Sequence, residues 1–331
     1  MKKHKICKIL LVILAIFLCV AFYELLGICV AYKKQPEVSN TTKKETKNGS
    51  WNECSENTER AVIIEKNPEA LLQRVRLIQN AKEEIILSTF AFKSDESGKL
   101  ILGALHDAAD RGVHIRLLVD GMESWIDMEG NPYFYGLSSH ENVEIKLYNK
   151  ANPLKPWKTM GRMHDKYLIA DGKIYILGGR NTYNYFLGDF PGHKNFDRDV
   201  LVVCNETQKD NSVNQLWNYF ETIWEQEDCR YFHNSKKLAD RQSVKKAVLE
   251  LQEGYQQYFE VNKEKICDTD YADETFETEK ITLLSNPIHT QAKEPVVWYQ
   301  LGELMKNAKE RVKIHTPYII CNDMMYNTWE E

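Results

Sequence analysis

The sequence predicts an α/β fold: a mixed, largely parallel sheet flanked by helices and carried behind an N-terminal transmembrane helix. Three observations predict it. Helical and strand patterns alternate between Pro68 and Val119, the signature of strands linked by crossover helices. A tight Asp171-Gly172 turn separates two short apolar runs, a strong hairpin signal. Residues 9–32 form a 24-residue apolar run broken only by Glu24, about 36 Å as a helix and long enough for a hydrocarbon core of about 30 Å.

The bulk composition narrows the classes. With 331 residues and 43% hydrophobic content, the chain can bury a sizeable core. A net charge of −5 and a pI near 6.0 argue against a general nucleic-acid binder. The eight cysteines form no C-x-x-C pair, so neither a disulfide framework nor a structural zinc site is expected.

Residues 1–32 read as an uncleaved membrane anchor, because the apolar run is too long for a signal peptide. Lysines flank it on both sides, so loop charge barely orients it; a short basic N-terminal tail places the globular part outside. Residues 33–59 are rich in Lys, Thr, Asn and Glu and read as a flexible polar stalk. The lobe spans 60–225. Leu71, Leu72, Val75 and Ile78 mark a helix opened by Pro68, and residues 84–92 a buried strand. A second helix runs from Leu100 to Asp110 and is closed by Gly112. Strands follow at 113–119 and 143–148, and another at 198–203. Val213, Leu216, Trp217, Phe220, Ile223 and Trp224 trace one face of a further helix. Residues 226–280 read as a connector that ends in a solvated acidic run.

One repeat stands out. Asn307-Ala-Lys-Glu repeats Asn80-Ala-Lys-Glu, and each copy leads from a helical stretch towards a strand. The offset of 307 − 80 = 227 residues is too long for a solenoid and suggests a duplicated domain. Residues 281–331 are then expected to be the incomplete start of a second lobe, with the chain apparently truncated after the first.

The chemistry gathers around the hairpin. His164 and Lys166 lie two apart, so in a strand they share a face. Gly178-Gly179 permits a sharp turn that could return Asn181 beside them. An imidazole, an ammonium and a carboxamide together suit a phosphate. The frame His164-x-Lys166-x-x-x-x-Asp171, followed by Gly178-Gly179-x-Asn181, resembles the HxKxxxxD signature of the phospholipase D superfamily. The flanking Gly-Gly-Arg-Asn-Thr-Tyr-Asn-Tyr-Phe and Phe196-Asp-Arg-Asp199 segments look most like its bacterial cardiolipin synthase branch. The resemblance covers about 60–225 well and 281–331 as a fragment.

What the resemblance implies is a phosphohistidine mechanism without metal or other cofactor. His164 would attack phosphorus, with Lys166 and Asn181 stabilising charge on the non-bridging oxygens. Asp171 completes the catalytic frame, although its place in an Asp-Gly turn also gives it a structural reason. Asp197 or Asp199 is the expected orienting carboxylate, and Gly179, Arg180 and Arg162 are the expected substrate-binding residues. His193 reads as a loop residue. A second half-site is required, from a missing C-terminal lobe or from another chain, because no other histidine is followed two residues later by lysine. The expected activity is phosphatidyl transfer or hydrolysis on phospholipids at a membrane, with nucleic acid an unlikely partner. The rivals are a superfamily nuclease working as a dimer and an inactive, membrane-tethered half-protein with a binding role.

Overall fold

The structure is a computed structural model that describes residues 2–49, 59–204, 211–316, 318 and 320–330. In chain order its elements begin with α1 (Lys2–Tyr32), α2 (Asn40–Lys47), β1 (Glu59–Ile64), α3 (Asn67–Asn80) and β2 (Glu84–Thr89). Next come α4 (Glu96–Asp110), β3 (His114–Asp120), α5 (Gly121–Asp127), α6 (Pro132–Ser138), β4 (Val143–Tyr148), β5 (Tyr167–Ala170) and β6 (Ile174–Gly178). The last are β7 (Asp199–Cys204), α7 (Ser212–Trp224), β8 (Cys229–Tyr231), α8 (Gln242–Cys267), β9 (Phe276–Glu277), α9 (Val296–Lys306) and α10 (Asp323–Glu330).

These elements fall into two compact units. One comprises Met1–Cys54, Lys155–Met160 and Thr282–Glu331; the other comprises Ser55–Leu154 and Gly161–Ile281.

In the first unit, Lys5–Tyr32 of α1 is long and apolar enough to cross a membrane, and side chains such as Leu10 and Phe17 stand exposed along it. The expected flexible stalk is corrected in part. Ser39 caps α2 by accepting from the Thr42 amide, a cap that stabilises by about 1 kcal/mol. Glu294 accepts from the Ser39 amide at 2.8 Å and from the Thr42 hydroxyl at 2.6 Å. Residues 50–58 of the expected stalk lie outside the described residues. The second copy of the repeat follows α9, but residues 311–316 form neither helix nor strand. A strand exists only as paired backbone; the first copy, β2, pairs with β3 and β5, and the second has no such ladder among the described residues.

The second unit is built on one sheet of order β8-β4-β3-β2-β5-β6-β7-β1-β9. It is mixed and flanked by helices, but not largely parallel: only β2–β3 and β3–β4 run parallel. The reason is the connections. Helices α4 and the α5–α6 pair link β2, β3 and β4, whereas β5, β6 and β7 form a meander with no crossover helix. The β5–β6 turn has the expected left-handed pair, Asp171 at φ 52° and Gly172 at φ 61°, as a type I′ turn requires, with Lys173 as a third loop residue before the Ala170–Ile174 pair.

Alternation buries both faces. Ile85, Leu87, Ile115, Leu117, Ile145 and Leu168 join the main core with α3, α4, α6 and α8. The opposite parity faces α7, where Arg116 pairs with Glu221 at 2.7 Å and Tyr175 bonds Ser212 at 2.9 Å. The expected connector 226–280 is therefore wrong. Its centre is the 26-residue α8, which buries Val244, Ala247, Leu251, Tyr255 and Ile266. The acidic run is not freely solvated either. Buried Arg76 binds Glu274 at 2.8 Å and Asp268 at 3.6 Å, with its guanidinium 3.9 Å from the Tyr271 ring centre.

Strand directions decide where function can sit. β1, β2, β3, β4 and β6 end at one edge of the sheet, and β5 and β7 begin there. Ligands of α/β sheets bind at such carboxyl ends.

Candidate functional site

His164 and Lys166 lie on the extended approach to β5 rather than inside it, since the strand begins at Tyr167. The ladder nonetheless reaches Lys166, whose carbonyl accepts from the Gly178 amide at 3.1 Å. Residues two apart thus keep a common side, and a hydrogen bond from Lys166 Nζ to the His164 carbonyl at 2.6 Å ties them together.

The two meet on Phe90, which follows the end of β2. Its ring centre lies 4.6 Å from that of His164 in an edge-to-face contact. The same ring lies 5.3 Å from Lys166 Nζ and 5.0 Å from the Arg162 guanidinium. The aromatic face attracts cations, so one ring positions three basic groups. Lys166 is 95% buried, at 5% relative exposure. Burial pulls its ammonium down to about 8, against the opposing influence of Asp165 and Asp197. His164 is open to solvent on one side, yet desolvation of its packed side, and then the Lys166 charge, lower its pKa below the usual imidazole value. A neutral imidazole beside an ammonium is the result near pH 7.

Asn181 reaches the same neighbourhood. Buried to 7% exposure, it accepts from the Ala91 amide at 3.2 Å through Oδ1. Because its carbonyl end is held one residue beyond Phe90, its NH2 is the end left to donate.

The remaining expected residues are placed differently. Asp171 sits at the far end of β5 from His164 and accepts from the amides of Lys82, Glu83 and Glu84 at 2.8, 2.8 and 3.0 Å. It joins the hairpin to the start of β2, which corrects the expected catalytic place. Arg180 is 1% exposed and binds Asn67 Oδ1, the Ile64 and Glu65 carbonyls, and Asp199. It is a core cation, not a substrate-binding one. Asp199 lies between Arg74 at 3.0 Å and Arg180 at 3.2 Å, and so cannot orient His164. Asp197 packs on Gly179, where an added Cβ would fall 2.1 Å from its Oδ2. Gly179 therefore makes room for a carboxylate, and Asp197 acts on Lys166. Among the described residues no carboxylate hydrogen-bonds the His164 ring. Arg162 is held by Asp120 at 2.7–3.0 Å and Glu123 at 3.1 Å, with its side chain still 28% exposed. His193 is an exposed loop residue near Tyr185.

Three positioning groups escaped the sequence reading. Phe90 is one. Asp120, at the end of β3, accepts from the amides of Met122 and Met163 as well as from Arg162, and so fixes the segment leading to His164. Tyr219 of α7 donates to Asp165 at 2.8 Å, holding the residue between His164 and Lys166. The available signal was an aromatic or acidic residue at the carboxyl end of each parallel strand. No three His, Cys, Asp or Glu side chains among the described residues converge in a way that would hold a metal ion.

Residues 74–224 match the family described as cardiolipin synthase, PLD-like domain. The lobe is a phospholipase D-like domain of the cardiolipin synthase-like branch. Among its relatives is an uncharacterised protein of Helicobacter pylori, 27% identical over 293 residues, which span 80% of this chain and 55% of that protein. Cardiolipin synthase C of Escherichia coli is 29% identical over 154 residues, 42% of this chain and 31% of that enzyme. The match thus spans about half of the first relative and under a third of the second. Of solved structures, NucT from Helicobacter pylori aligns with a TM-score of 0.42 at 18% identity, covering 53% of this chain and 99% of its own.

Proposed function

We propose that the lobe performs phospholipase D-type transfer of a phosphatidyl group, from a phospholipid to an alcohol or to water, through a phosphohistidine at His164. The observation that carries the reading is the Phe90 platform, where a neutral imidazole and a buried ammonium stand side by side. In the first step the imidazole nitrogen attacks phosphorus. The N–P bond forms, the P–O bond to the departing alcohol breaks, and that oxygen takes a proton from a second half-site. In the second step the acceptor oxygen attacks, the N–P bond breaks, and the acceptor's proton returns to the same group. Lys166 and the Asn181 amide face the charge that develops on the non-bridging oxygens. The second half-site comes from a further lobe or another copy of the chain. α1 tethers the lobe to a membrane, with the globular part outside.

The test uses the full chain with labelled phosphatidylglycerol and, in parallel, labelled DNA. Expected is lipid turnover with an acid-labile phosphate on the protein. His164→Ala should lose both, by roughly 10⁴-fold or more in rate, without a change in thermal midpoint. DNA cleavage without lipid turnover would reject the lipid reading in favour of a nuclease. Absence of turnover and of adduct on either substrate would support a binding role.

A further inference from the structure

The site-bearing edge of the sheet carries large apolar side chains that the chemistry does not use. Trp125 and Ile126, on the short helix that follows β3, are both 64% exposed. Leu154, in the loop after β4, is 77% exposed, and Phe196, just before β7, is 80% exposed. β3 and β4 lie on one side of the β2–β5 pair that carries Phe90 and His164, and β7 lies on the other, beyond β6. Strands are about 4.8 Å apart, so the apolar tips stand on both sides of the candidate site. Single exposed apolar residues, such as Val261 and Phe276 elsewhere on the lobe, are ordinary, whereas several that flank one opening point to an interaction surface.

We propose that this rim is a lipid-docking surface, by which the lobe sits face-down on a bilayer with the His164 opening towards the headgroups. The proposal rests on the phosphatidyl-transfer reading and names the physical surface that serves it. Three features favour a bilayer over a protein partner. The tips are separate and protrude from different loops, which suits a fluid surface that closes around each one. Trp beside aliphatic residues is the side-chain chemistry of the headgroup boundary. The segment that leads from β4 to Leu154, residues 149–154, contains Lys150 and no acidic residue, so its charge complements anionic headgroups.

The test places the full chain in vesicles of phosphatidylglycerol and phosphatidylcholine that contain phosphatidylcholine brominated near the headgroup end of its acyl chains. The Trp125 signal is the difference in emission between wild type and Trp125→Phe. Expected is quenching of that difference by brominated lipid and a shift of its emission to shorter wavelength, both unchanged in His164→Ala. A companion variant, Phe196→Ser with Leu154→Ser, should slow turnover of vesicle lipid and leave a water-soluble phosphodiester turned over as before. A Trp125 difference that stays unquenched and water-like overturns the proposal. One that is blue-shifted but unquenched overturns it too, and assigns the rim to a protein contact or a second copy. The quenching needs no turnover, so an inactive but quenched chain rejects the catalytic reading and leaves the docking surface standing.

Discussion

Two groups of basic residues lie at the same edge of the sheet, and they are used in opposite ways. Arg74 and Arg180 enclose Asp199, whose side chain is fully buried, as is that of Arg180. Lys166 is almost as buried, yet its partners are a carbonyl oxygen and the face of Phe90. Where a carboxylate neutralises the cation, the charge is spent on architecture. Where burial is offset by a dipole, a ring and carboxylates that form no ion pair with the cation, the charge remains available to an anion from outside, and its pKa falls to about 8. Full pairing suits a structural cation; desolvation without pairing suits one that can receive an anion.

The comparison can be broken from either side. The largest effect is expected from Asp199→Asn, which leaves two buried guanidiniums without their counter-charge. Breaking such a pair costs about 3–5 kcal/mol, and denaturant unfolding should read that loss. Next is Lys166→Met, which fills the space without a charge. It should reduce turnover about 10²–10³-fold and leave the unfolding midpoint unchanged or higher. The pH profile sharpens the point. Lys166 is charged below its folded pKa, so wild-type turnover should fall as pH rises through about 8, and that limb should vanish in the variant. The smallest effect is expected from Asp171→Ala. Its three amide contacts are lost and a left-handed backbone position receives an unsuited residue, for about 1–2 kcal/mol of stability. Turnover per folded molecule should stay within about twofold, since exposed turn residues act on folding rather than chemistry. A loss comparable to that of His164→Ala would restore Asp171 to the catalytic set.

Much of the fold was legible because local patterns agreed with the tertiary result. The residues read as strand 143–148 are β4, and the Asp171-Gly172 turn is a left-handed pair. The α4 helix begins four residues before the expected Leu100, because Asp95 caps it through the Gly98 amide. What was missed needed long-range partners. α8 has a diluted apolar stripe amid many charged residues, and its helical register shows only once α4 and α6 lie against it. The site divides along the same line. His164, Lys166 and Asn181 stand near Phe90, but a fixed motif cannot distinguish Arg180 as a core cation from Arg180 as a ligand. That distinction depends on Asn67, Ile64 and Glu65, more than a hundred residues upstream. Likewise, an aromatic residue at the carboxyl end of β2 is a local signal, but only the sheet order places it under a histidine that follows β4.

The two outermost strands of the sheet have a consequence for assembly. β8 is three residues long and β9 only two, so each flank offers little free backbone for another chain to pair with. Short edge strands of this kind suppress sheet-to-sheet growth and fibre formation. A second copy that completes the chemistry therefore has little to gain by extending the sheet sideways. It would approach end-on, at the edge where His164 lies, and the symmetry of any working pair would be set by that opening.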